Sequence, residues 1–405
     1  MNQKNDYRSK DQGMRLSGTN LERAGDHNQR VTLHAIRVNG PITRAELAVI
    51  TGLTAPAIAN ITKRLLVENL IQEAGRRRGG RGQPATKLVI NPDSWFSIGL
   101  NVDRDHITMV VLDFEGKIRA RMSREVNFAL PKDVDQFFRK SADKLLAKVG
   151  IGRDRLAGIG VALPDDMPRA ATLPQQPASY GIWASTDVAS LLKSTLHVPV
   201  FVENDAAAAT MGEMQFGLGK KYQTFFYILI TAALGGSVVI EGNHFRGATG
   251  RSGELGMLRG KDLTGHGAQI QKIVAPSALY SRLAAQGIKV SGPAELTDLG
   301  DSGQAIIDAW VEAAVDTLID PVLAINCLVN PEAILIGGRL PAGIVDSLAT
   351  RLSQRLEAFS STMPAVAPVS RAALSDDAPA VGAAILPFSH RLLPTRTALM
   401  KVAAI

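Results

Sequence analysis

Twelve residues near the N-terminus, Thr43-Arg44-Ala45-Glu46-Leu47-Ala48-Val49-Ile50-Thr51-Gly52-Leu53-Thr54, constrain the fold of this chain more than any other stretch. Thr43 with Glu46 three residues later is a capping box. The hydroxyl can accept from the Glu46 amide while the carboxylate reaches back to the cap. Gly52 supplies a tight turn. Thr54 can cap the next helix, and Pro56 is tolerated there because first-turn amides have no intrahelical partner. A preceding helix is expected over 28–39, closed by Gly40-Pro41, with Val31, Leu33, Ala35, Ile36 and Val38 as its apolar face. The second helix is expected to bury Leu47, Ala48 and Ile50. In the third, Ile58, Ile61 and Leu65 fall on one side at helical spacing, and Pro56, Ala57, Asn60 and Lys63 on the other.

A basic hairpin after the third helix completes the pattern. Leu66, Leu70 and Ile71 lead into a strand, Arg76-Arg77-Arg78-Gly79-Gly80-Arg81-Gly82-Gln83-Pro84 forms a basic loop, and Lys87–Ile90 forms the returning strand. A helical pair that offers one small, polar helix face beside an Arg/Gly hairpin is suited to a DNA groove. The candidate DNA-contacting residues are Arg44, Thr54, Pro56, Ala57, Asn60, Lys63, Arg64, Arg76, Arg77, Arg78 and Arg81. Arginines in such a loop can enter a narrow A·T-rich minor groove.

Charge supports this assignment. The chain has 45 Lys+Arg against 38 Asp+Glu, a net of +7. Residues 1–95 hold 15 basic and 8 acidic residues, so the whole excess lies there and 96–405 is neutral. Positive charge confined to one segment points to a polyanion partner for that segment. The single cysteine, Cys327, excludes an intramolecular disulfide framework and a multi-cysteine zinc site. No apolar run of membrane-spanning length and no apolar signal core are found, so a cytoplasmic protein is expected. The reading divides the chain into a flexible tail over 1–26, a winged helix-turn-helix over 27–92, and a body over 93–405.

The body reads as α/β with two lobes. Strands are expected at 97–102, 107–112, 156–163, 198–203, 224–231, 237–241 and 333–336, a turn at Phe114-Glu115-Gly116-Lys117, and helices at 134–149, 206–217 and 306–328. Three segments carry a resemblance: Val202-Glu203-Asn204-Asp205-Ala206, Gly250-Arg251-Ser252-Gly253-Glu254-Leu255-Gly256, and Asn330-Pro331-Glu332-Ala333-Ile334-Leu335-Ile336-Gly337-Gly338. In order and spacing they resemble the ROK family (repressors, open reading frames and kinases) of the sugar kinase/actin-like ATPase fold. With the N-terminal winged helix the chain is similar to ROK transcriptional regulators of the xylose-, N-acetylglucosamine- and glucose-responsive group.

The resemblance implies sugar binding by Asn204, Asp205 and Glu254. A carboxylate accepts from hydroxyls and can take the proton of an attacking one. The alternative for Asn204 or Asp205 is a helix N-cap, and for Glu254 a solvated loop carboxylate. Two departures stand out. Where family kinases carry Asp-x-Gly-Gly-Thr, this chain has Asn101-Val102-Asp103-Arg104-Asp105-His106, without the glycines that let amides approach phosphates. The second loop, usually Gly-Thr-Gly-x-Gly, is Thr231-Ala232-Ala233-Leu234-Gly235-Gly236. The family zinc motif is missing too: its His position is Met257, no Cys cluster comes after it, and His266 alone cannot build a tetrahedral site. The expectation is therefore a DNA-binding repressor of carbohydrate uptake or catabolism genes, modulated by a sugar or sugar derivative. It would bind operator DNA as a homodimer or homotetramer and have no catalytic residues, no cofactor and no metal. The alternatives are a ROK sugar kinase with an accessory DNA-binding domain, or a ligand-independent DNA-binding protein with a decayed pocket.

Overall fold

The computed structural model describes residues 21–77, 85–165, 167, 177–260, 268–374 and 376–394. The chain divides into two units. One contains the described residues up to Asn91 together with those from Ser389 onward, and the other is Pro92–Phe388.

The first unit contains α1 (Leu21–Asn39), β1 (Ile42–Thr43), α2 (Arg44–Thr51), α3 (Ala55–Val67), β2 (Ile71–Arg77) and β3 (Ala85–Ile90). Its three strands pair in the order β1-β3-β2. The capping box forms as its residues dictate: Thr43 Oγ1 accepts from the Glu46 amide at 3.3 Å and the Thr43 amide donates to Glu46 Oε2 at 2.8 Å. Gly52 ends α2 at φ +68°, a left-handed conformation that costs glycine little. Thr54 then caps α3 through the Ala57 amide at 3.4 Å. The two helices meet at 115°, within the range of a helix-turn-helix. Leu33, Ile36, Leu47, Ile58, Leu65 and Leu88 fill the core between them. Two expectations fail here. Val38 and Ile50 are 55% and 53% exposed, because α1 and α2 each bury a narrower stripe than the run of apolar residues suggested. The expected body ran to residue 405, whereas the residues from Ser389 onward group with the first unit. There Arg30 donates to the carbonyls of His390 and Leu393.

The second unit holds two five-stranded sheets of matching design. In one, β4 (Phe96–Val102), β5 (His106–Asp113) and β6 (Ile118–Glu125) form an antiparallel meander. β7 (Leu156–Leu163) and β8 (Val200–Asn204) extend it in parallel, giving the order β6-β5-β4-β7-β8. In the other, β9 (Phe225–Ile230), β10 (Leu234–Ile240) and β11 (Asn243–Phe245) form the meander. β12 (Ala333–Gly338) and β13 (Val369–Arg371) extend it, giving β11-β10-β9-β12-β13. Strands buried on both faces read as unbroken apolar runs, as in Phe225–Ile230 and Ala333–Gly338. Helices α4 (Pro131–Val149) and α5 (Val188–Leu196) cover the first sheet. The second carries α7 (Gln271–Val274), α8 (Pro276–Ala285), α9 (Gly300–Val329) and α10 (Ala342–Glu357), around Trp310, Leu318 and Leu348.

Two helices lie at the junction of the lobes: α6 (Asp205–Phe216) and α11 (Ala378–Arg391). They approach each other and the first sheet largely through Gly and Ala. A Cβ at Gly160 would strike the Ala383 carbonyl, and one at Gly382 would strike the Ala208 carbonyl. Ala162, Ala208 and Ala383 form the small apolar cluster of this seam. The seam fixes the N-terminus of α6, and with it the residues that enter the cleft.

Candidate nucleic-acid interface and ligand cleft

On α3 the buried side is Ile58, Thr62 and Leu65, with Ile61 half-buried. Thr54, Pro56, Asn60, Lys63 and Arg64 are exposed and Ala57 is half-buried, so the small, polar residues of the sequence reading share one accessible helix surface. Arg44 is half-buried, and its Nε donates to Thr62 Oγ1 at 2.9 Å. That bond ties α2 to α3. Arg64 lies 3.7 Å from Glu68 on the same helix. The strands β2 and β3 come directly after. Arg76 and Arg77 belong to β2, opposite Thr86 and Ala85 of β3. Arg78 and Arg81 lie outside the described residues.

The candidate ligand cleft lies in the second unit, between its sheets. β8 ends at Asn204, and α6 begins at Asp205. Asn204 Oδ1 accepts from the Ala207 amide at 3.0 Å and is the helix cap. Asp205 is 8% exposed, and its Oδ1 accepts from the Ala206 amide at 2.8 Å. Of the two adjacent residues, Asn204 is the one that caps the helix. Pro164 and Asp165 lie beside them, and Thr231, His244, Arg251 and Glu254 line the same pocket from the other lobe. Glu254 is half-buried at the start of a short 3₁₀ turn, after Gly253 at φ +88°. Two arginines cross the cleft. Arg251 reaches Asp165, 3.3 Å from its carboxylate and 3.1 Å from its carbonyl, and Arg246 meets Glu203. Burial lowers the pKa of His244, which keeps its imidazole neutral near pH 7. The sequence reading did not single out Asp165, Arg246 or His244. Arg251 belongs to the Gly-rich segment of the family resemblance, and its charge beside Glu254 was the available signal.

Met257 lies at the pocket edge, where Gln269 Nε2 donates to its sulfur at 3.4 Å. His266 lies outside the described residues. The β4–β5 turn is filled by its own charges. Asp103, Arg104 and His106 are buried at 1%, 3% and 1% exposure. Asp103 accepts from the Arg104 amide at 2.7 Å, His106 Nδ1 is 2.6 Å from Asp105, and His106 Nε2 is 2.9 Å from the Asn101 amide nitrogen. Arg339, just after β12, reaches across to Asp105 at 3.4 Å and to Glu125 at 2.5 Å. Burial alone would raise the Asp105 pKa, but the His106 bond and the Arg339 charge outweigh it and hold the carboxyl below its usual range. Asp103, Asp105 and His106 bring potential metal-ligand atoms within 4.8 Å of one another. Arg104 and Arg339 already stand against those carboxylates as counter-charges.

Comparison with known proteins agrees with this architecture. The model of the ROK family matches residues 97–389. The uncharacterized protein y4fQ of Sinorhizobium fredii is 30% identical over 363 residues, covering 89% of this chain and 90% of that protein. The xylose repressor of Bacillus spizizenii is 30% identical over 231 residues, covering 57% of this chain and 60% of its own length. The crystal structure of a ROK family transcriptional regulator, a homolog of the Escherichia coli MLC protein, superposes with a TM-score of 0.65 at 20% identity. It covers 90% of this chain and 96% of that one. A winged helical unit ahead of two matching sheets, with a family match across most of the second unit, leads to one assignment: the chain belongs to the ROK family, with the architecture of its transcriptional regulators.

Proposed function

We propose that this chain is a sequence-specific DNA-binding transcriptional regulator, a repressor of carbohydrate uptake or catabolism genes, whose operator affinity is set by a sugar or sugar derivative held in the cleft. The accessible face of α3 carries the reading: Thr54, Pro56, Asn60 and Lys63 stand outward while Ile58, Thr62 and Leu65 are buried behind them. An amide such as Asn60 can pair bidentately with adenine, and Lys63 can meet a phosphate. Arg64, together with Arg76, Arg77, Arg78 and Arg81, would add backbone and minor-groove contacts. The likeness to a protein named a xylose repressor supports the sugar-gene part of the proposal.

In the cleft, Asn204, Asp205 and Glu254 would accept from sugar hydroxyls. The response needs only differential affinity: a ligand that binds one arrangement of the protein ~100-fold better shifts the balance by about 2.7 kcal/mol. Binding as a homodimer or homotetramer would match a pseudo-palindromic operator.

A kinase reading draws on the retained Asp205. Against it stand the β4–β5 turn, which presents buried Asp103 and half-buried Asp105 where a polyphosphate would need backbone amides, and the missing glycines of both loops. Deleting residues 1–95 should abolish specific DNA binding while leaving 96–405 folded. Equal binding of an operator by 96–405 alone would refute the assignment.

A further inference from the structure

The cleft is two chambers in series. The inner one, between Asp205, Thr231, Gly236 and Glu254, has a volume of about 40 Å³. The outer one, bounded by Trp183, Val188, Val202 and Arg246, has about 600 Å³. They join through Pro164, Asp165, Asn204, Gly250 and Arg251, which line both. One water needs roughly 10–15 Å³ measured this way, so the inner chamber has room for about three waters. The outer chamber falls within the ~300–1,000 Å³ of pockets that bury whole organic ligands. Most of the space for a ligand thus lies outside the hydroxyl-binding end.

The outer walls have a definite chemistry. Val202, 47% exposed although it sits in the middle of β8, gives most of the apolar surface, and the nearly buried Met167, Trp183 and Val188 add only their edges. Asp187, Glu203 and Asn204 add acceptors. Apolar patches between hydroxyl acceptors suit the C–H faces and hydroxyl edges of a sugar ring. Across both chambers the described lining holds five carboxylates (Asp165, Asp187, Glu203, Asp205 and Glu254) against two guanidiniums. Both guanidiniums already meet a carboxylate, Arg246 with Glu203 and Arg251 with Asp165, and His244 is neutral. Among the described lining residues a phosphate or carboxylate on the ligand would meet more carboxylates than guanidiniums.

Resting on the sugar-responsive reading, we infer that the ligand is a neutral saccharide of two or more rings. One end meets Asp205 and Glu254 after slight opening of the inner chamber, and the remainder fills the chamber between Trp183 and Val202. Monosaccharides and sugar phosphates are the weaker ligands of this site.

The test is calorimetric titration of the full chain with xylose, glucose and glucose 6-phosphate, and with xylobiose, cellobiose, maltose and sucrose, and then operator binding with each. The expected result is that one disaccharide binds at least about tenfold tighter than its own monosaccharide, a difference of about 1.4 kcal/mol. Val202→Trp, which puts a bulky ring into the outer chamber from an exposed position, should weaken that disaccharide by at least about tenfold and leave the monosaccharide within about threefold. Ala189→Phe, from the part of the lining on α5, should do the same and serves if Val202→Trp misfolds. A monosaccharide or the 6-phosphate binding as tightly as every disaccharide, unaffected by both variants, overturns the inference but leaves the sugar-responsive reading standing. No saccharide binding to a chain that still binds its operator overturns both.

Discussion

Adjacent residues at the start of α6 allow the ligand reading to be separated from the structural one. Asn204 carries the cap, through the Ala207 amide at 3.0 Å, while Asp205 is the first helical residue and faces the inner chamber. Asn204→Ala should therefore cost about 1 kcal/mol of stability, the usual worth of an N-cap. Asp205→Asn keeps the size and one carbonyl acceptor but removes the charge. Its stability cost should be the loss of a carboxylate in the first turn, about 0.3–1 kcal/mol. Its ligand cost should be larger. A hydrogen bond to a charged group contributes about 1.5–3 kcal/mol, roughly ten- to 150-fold in affinity. That is comparable with the whole coupling energy of a typical switch. The assay is operator affinity with and without the bound saccharide, together with urea unfolding of each variant. The reasoning predicts a lost ligand response, unchanged ligand-free operator binding and near-normal stability in Asp205→Asn. A full ligand response in both Asp205→Asn and Asp205→Ala would remove the carboxylate from the site.

Three further outcomes are expected. Asn60→Ala should relax base preference in a selection experiment at one position of each half-site, and recovery of an unchanged motif would contradict the reading face. Lys63→Ala should weaken binding to all sequences and lower the salt slope by about one, measured across a range of KCl concentrations. His34 is half-buried on α1 beside Arg37. Burial, then the Arg37 charge, lowers its pKa from 6.5 to about 4. The unfolded chain therefore binds a proton that the folded one refuses. The stability this contributes is full above pH 6.5 and is lost as pH falls through 4, at most about 3 kcal/mol. Hydrogen exchange of α1 peptides between about pH 7 and 4 should show that loss, and His34→Gln should flatten it.

The parts of the fold visible in the sequence are those set by local chemistry. Thr43, Glu46, Gly52 and Thr54 act on backbone groups within a few residues, so their roles come from spacing alone, and the structure reproduces each one. The apolar strands of the body were readable for the same reason. What escaped is non-local. The two-residue strand β1 exists only by pairing with the distant β3, in register at Ile42 and Leu88, and carries no periodicity of its own. Nothing near Asp105 announces Arg339, which comes from the other lobe. The exposure of Val38 and Ile50 depends on which neighbours arrive, not on hydropathy. The Gly160, Gly382 and Ala383 seam was available as a run of small residues in α11, but its meaning depends on what lies across from it. In the cleft, the motif residues Asn204, Asp205 and Glu254 do line one pocket, whereas the outer chamber is lined by Trp183, Val188 and Val202 on separate elements.

Selection of genomic fragments by the full chain, with the saccharide panel added at the elution step, tests the central claim most directly. The account predicts enrichment of one two-fold symmetric sequence adjoining carbohydrate transport or catabolic genes. It also predicts release of that DNA by a neutral saccharide, with no ADP formed when ATP and the same saccharide are supplied. Retention of DNA without sequence preference, or saccharide-dependent ADP formation at enzymatic rates, would contradict it.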